Sequence, residues 1–154
     1  MSFRVIKNDV YPFSLVVATS VSDLKEINKK YESIDREELK ARKCSEATTY
    51  PVFERKTNKS AVCIVFNSKP TIRLITHESL HATYMVLSIL CHIPLNDYTD
   101  ECYAYLIGWI AEKINKVADW FTKEGGFTGL FVNKIVPNFI TGIGYAINNI
   151  VAPV

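Results

Sequence analysis

The sequence predicts an α+β domain, and three observations carry that prediction. Short apolar runs at residues 13–19, 48–54 and 61–66 have strand length and β-branched content. Two longer stretches, one ending near His92 and one opening at Asn96, repeat apolar residues at helical spacing. With 154 residues and 48% apolar composition, the chain can bury one core.

From the N-terminus, Met1-Ser2-Phe3-Arg4 leads into a charged segment of short period with no secretory signal, so a cytoplasmic protein is expected. Residues 13–19, with Val16 and Val17, read as a buried strand. Ser20 or Ser22 can cap a helix in which Leu24, Ile27, Tyr31 and Ile34 recur at helical spacing. Residues 35–43 are charge-dense and read as a solvated helix end or loop. Residues 48–54 and 61–66 form a hairpin across Lys56-Thr57-Asn58-Lys59. Pro51 pushes the first of these strands to a sheet edge, because proline cannot donate to a ladder. Ser68 and Pro70 open a helix that stops before Pro94. A second helix follows with Glu101 in its first turn, and Gly108 on it is expected to let the two helices approach closely.

The first long helix contains His77-Glu78-Ser79-Leu80-His81, an HExxH pattern that takes two of the chain's three histidines. Residues four apart share a helix face, so both imidazoles can point at one ion. Glu78 leans to the adjacent side, where it can reach a water beside that ion. Two histidines and an interposed general base are what a zinc hydrolase needs, normally with a third protein ligand. Glu101, about one helix and one loop later, can return to the same ion. The competing reading makes His77 and His81 core or groove histidines, and Glu101 a carboxylate placed to suit the helix dipole. Asp97 and Asp100 are nearby caps or acceptors for a ligand histidine. His92, near the helix end, suits the same dipole.

HESLH followed by a helix reading E-C-Y-A-Y-L-I-G resembles the gluzincin branch of the zinc metallopeptidases, most closely the small zincin-like proteins often encoded by bacteriophages. The resemblance covers roughly residues 11 to 116. It implies a short antiparallel sheet packed on the HExxH helix and the helix after it. It further implies Zn2+ as cofactor, His77, His81 and Glu101 as ligands, and Glu78 as general base. A protein or peptide substrate would bind by strand addition along the sheet edge. Tyr105, one turn after Glu101, or Tyr84, one turn after His81, would serve the oxyanion. No histidine follows His92 to take the role that a downstream His or Tyr plays in larger gluzincins.

Residues 1–124 would then be a zincin-like metal-binding domain and residues 125–154 an apolar docking or packing tail. Past Glu124 the single charged side chain is Lys134, and Pro137 with several asparagines interrupts the apolar run. No transmembrane span is expected there. Three placements stay open for the tail: folded back as extra core, docked on another subunit, or laid on a membrane surface. A net charge of +2 with mixed signs argues against a nucleic-acid partner. Cys44, Cys63, Cys91 and Cys102 occur singly in apolar contexts, as reduced thiols do; Cys91 and Cys102 are read as packing rather than metal-binding. Two function classes follow. One is a zinc peptidase of a host-cell cytoplasm. The other is a structural virion or assembly protein, homo-oligomeric or joined to phage structural proteins through its tail.

Overall fold

The computed structural model describes residues 3–33 and 46–124. The expectations for Ile34, residues 35–43, Cys44 and the tail at 125–154 therefore lie outside the described residues. The chain divides into two units at Phe121, and the first holds the sheet and the residues discussed below.

The strands are β1 (Phe3–Lys7), β2 (Ser14–Ala18), β3 (Tyr31–Ser33), β4 (Ala47–Glu54) and β5 (Ser60–Phe66). They form one sheet in the order β1-β2-β5-β4-β3. The helices are α1 (Leu24–Lys30), α2 (Ile72–Tyr84) and α3 (Asp100–Glu124). A three-residue 3-10 turn, Val21–Asp23, precedes α1, and Met85–Leu90 carries α2 onward with π-helical winding. Among the described residues no helix is long and apolar enough to cross a membrane.

The α+β class is as expected, but the sheet is mixed rather than antiparallel. β5 pairs antiparallel with β4 from Ala47↔Phe66 to Phe53↔Ser60, and parallel with β2 from Ser14↔Ala61 to Ala18↔Val65. Six of the seven β5 residues are buried, as a central strand covered on both faces requires. The hairpin turn closes with Glu54 N–H donating to Lys59 O at 2.9 Å. Asn58 takes φ 54°, a left-handed conformation that asparagine tolerates better than most residues.

Four other expectations are corrected. β4 is not an edge strand: β3 flanks it opposite Val52–Glu54, and the described edges are β1 and β3. Pro51 is accommodated by parity. Glu54 N–H points toward β5, so alternation points the Pro51 nitrogen the other way, one residue beyond the last described β3 pair, Ser33↔Val52. The charged opening segment, for which no element was expected, forms β1, and its Arg4 and Lys7 are characteristic of a sheet edge. The first helix ends at Lys30, because Tyr31 turns extended (φ −119°, ψ 153°) to begin β3. Neither serine caps it. Asp23 occupies the N-cap without a side-chain hydrogen bond, while Ser20 Oγ accepts from Ser22 N–H within the preceding turn. Finally, Gly108 is not a point of close approach among the described residues, where a Cβ would meet nothing within 4 Å.

Strand alternation sends side chains to two cores. Leu15, Val17, Ala47, Val62, Ile64 and Phe66 face α2 and α3, meeting Leu74, Ala82, Leu87, Leu106, Ile110 and Ile114. Val16, Tyr50, Val52, Cys63 and Val65 face the other way and pack with Ile27 of α1.

Candidate functional site

α2 starts two residues after Pro70. Thr71 is its N-cap, and the Thr71 side chain accepts from Leu74 N–H at 3.3 Å. Its buried arc contains Leu74, Ile75, Glu78, Ser79, Ala82 and Thr83. Ser79 satisfies its hydroxyl inside the helix by donating to Ile75 O at 2.7 Å. The outer arc carries Arg73, His77, Leu80, His81 and Tyr84, all exposed.

The two motif histidines come together. Their Nε2 atoms lie 3.1 Å apart, with ring centroids 4.6 Å apart and planes 80° to one another. Two nitrogens on a tetrahedral zinc, each about 2.0–2.1 Å from it, would be about 3.3 Å apart. The rings therefore present two vertices of such a site with almost no adjustment. As a hydrogen bond, the same contact needs one ring protonated at Nε2 and the other at Nδ1.

Glu78 lies about 80° round the helix from the midline of the histidine pair, on the near margin of the buried arc. Its side chain enters the interface with β4 and is only 4% exposed. There Oε2 accepts a hydrogen bond of 2.5 Å from Thr49 Oγ1, itself 2% exposed. The length suits a hydroxyl donating to a carboxylate. Oε1 accepts no hydrogen bond among the described residues. Thr49 was not singled out in the sequence. The available signal was alternation: Thr49 shares a strand face with Ala47, so a hydroxyl was directed at the core beneath the motif helix.

The second helix contributes differently. Glu101 sits in the first turn of α3 as expected, with its N–H capped by Asp100 Oδ1 at 2.8 Å, but its side chain is exposed. Among the described residues, no three His, Cys, Asp or Glu side chains cluster closely enough to hold an ion. Glu101 thus does not complete the histidine pair as placed. The zinc implied by the resemblance fits the two histidines but lacks a third donor in this arrangement. Tyr105 and Tyr84 are 78% and 54% exposed.

The start of α3 is nonetheless tied to the end of the motif helix. Tyr103, 3% exposed, donates from its hydroxyl to Ile93 O at 2.8 Å and lies beside Ser88 and Tyr84. Burial pushes the Tyr103 phenol up. His92, at the turn between the helices, is exposed with φ 55° and stands apart from the pair as a C-terminal left-handed residue. Cys91 and Cys102 are free and pack against the core; Cys102 lies beside the Tyr11 phenol, and burial pushes the Cys91 thiol up.

No protein-family model, no curated protein and no solved structure matches the chain.

Proposed function

We propose that the chain is a zinc-dependent hydrolase of peptide bonds, with His77 and His81 as metal ligands and Glu78 as general base. The single observation that carries this reading is the 3.1 Å approach of the two Nε2 atoms, next to a carboxyl held in place by the sheet. Zinc at such a site supplies Lewis acidity, activating water near neutral pH and polarising a carbonyl. Glu78 would take the proton of the attacking water on Oε1 and return it to the leaving amine as the C–N bond breaks. We assign the third ligand position to Glu101, as the resemblance implies, and the oxyanion contact to Tyr105, one turn after Glu101 on the same helix. The hydrogen bond from Tyr103 to Ile93 O supports this by keeping the first turn of α3 beside the end of the motif helix. Glu101 must move nearer the pair than it lies here when the ion binds. Exposed first-turn side chains have that freedom.

Elemental analysis of purified protein after zinc loading and desalting tests the reading. About one zinc per chain is expected, as three protein ligands would hold it. His77→Ala should lose it, and Glu101→Gln should weaken binding about tenfold or more, leaving a site of two ligands. Protein that retains no zinc when zinc is supplied overturns the proposal.

A further inference from the structure

The geometry points to Thr49 as a positioning residue for Glu78, a role that rests on the hydrolase reading above. A glutamate on a helix surface has three rotatable bonds and samples several rotamers. Here one oxygen is fixed by the Thr49 hydroxyl, and the donor is itself fixed. Thr49 is β-branched, with restricted χ1, on a strand held to β5 along its length. With Oε2 engaged, Oε1 is the carboxyl oxygen without a hydrogen-bond partner among the described residues, and so the better acceptor for a water at the histidine pair. Thr49 therefore selects which carboxyl oxygen takes the proton and holds it at a set distance from His77 and His81. Small displacements of a reacting group cost large factors in rate, so such a pin raises kcat rather than substrate affinity.

A purely structural role would look different. If the bond only fastens α2 to β4, losing it lowers thermal stability and leaves turnover per zinc-loaded molecule unchanged. The test is steady-state hydrolysis of a pool of internally quenched random peptides by the full chain, normalised to bound zinc. Zinc affinity and thermal midpoint are read beside it. Thr49→Val removes the donor and keeps the shape; Thr49→Ala takes its place if the valine variant does not fold. Thr49→Ser restores the hydroxyl.

For Thr49→Val the expected result is a kcat lowered about tenfold to a hundredfold, with KM and zinc affinity within twofold of wild type. Thr49→Ser should recover most of the loss. A crystal structure of the valine variant should show the Glu78 carboxyl displaced or spread over several rotamers. Wild-type activity with an unchanged kcat in Thr49→Val overturns the role of Thr49 and leaves the hydrolase reading standing. So does a serine variant as slow as the valine one, or a Glu78 that stays in place without the hydroxyl. A zinc-loaded wild type that cleaves none of the peptides overturns the hydrolase reading, and the role of Thr49 falls with it.

Discussion

Thr49 and Tyr50 are neighbours on β4, both buried, both carrying a hydroxyl, and they face opposite sides of the sheet. Thr49 meets a carboxyl from the motif helix at 2.5 Å. Among the described residues the Tyr50 hydroxyl has no hydrogen-bond partner; the Cys63 sulfur near it is a weak acceptor. Burial drives the Tyr50 phenol far above its usual range and pushes the Cys63 thiol up to about 12, so neither is poised for chemistry. On the α1 side, Asp23 is 3% exposed with Oδ2 unpartnered. Partnerless hydroxyls are not confined to that side, since Thr83 Oγ1 on α2 is another. What distinguishes the Thr49 side is that a buried carboxyl has been given a donor. A buried polar group that is matched marks a constraint on its position, whereas an unmatched one is tolerated for its packing.

The largest expected consequence is on stability. Thr49→Val strips a donor from a buried carboxyl, which costs about 1.5–3 kcal/mol when the acceptor is charged. In a chain of this length that lowers the thermal midpoint by about 5 °C or more. Calorimetry or a circular-dichroism melt would detect it, and an unchanged midpoint would erase the contrast between the two hydroxyls.

A smaller effect, of opposite sign, is expected at Asp23. Burial raises its carboxyl above the ordinary value, so the folded state holds that proton more tightly than the unfolded chain. The favourable contribution is complete below the unfolded pKa, about 3.9, and is lost as pH rises through the folded value. Asp23→Asn removes the charged form that burial disfavours. It should stabilise the protein by about 1 kcal/mol near neutral pH, on the scale of one buried unsatisfied group. The gain should shrink as pH falls toward 4. Urea melts at pH 7 and pH 4 would measure both limbs; a gain of equal size at the two pH values would remove the titration argument.

How much of this was legible in the sequence depended on distance along the chain. The His77–His81 pairing was readable because helix geometry alone sets the relation of residues four apart. The β4–β5 hairpin was readable from a short turn between two apolar runs, and β2 from its own composition. Relations between distant segments were not. Thr49 and Glu78 are separated by 29 positions, and nothing local connects them. The parallel entry of β5 beside β2 is a property of topology, which a hairpin pattern cannot reveal. Pro51 was misread because its effect depends on which way one nitrogen points. Tyr31 was misread because helical spacing continued past the residue where pairing with Glu54 prevails. At the site, the helix and turn of Glu101 were legible for the same local reason.

The smallest effect is expected at Tyr50, and it sharpens the comparison most. Tyr50→Phe deletes one oxygen and keeps the ring, which is 4% exposed and packs among Val16, Val52 and Cys63. Had the hydroxyl been matched, its loss would cost about 1 kcal/mol. Because it is buried without a partner, its removal instead relieves a desolvated group. The expected change is neutral to stabilising, about 0–1 kcal/mol, with zinc content and turnover untouched. Set beside Thr49→Val, the pair forms an internal control: adjacent residues, the same strand, each losing one hydroxyl, with opposite outcomes. A clear destabilisation by Tyr50→Phe would mean that the phenol has a partner after all, and polar matching would no longer separate Thr49 from Tyr50.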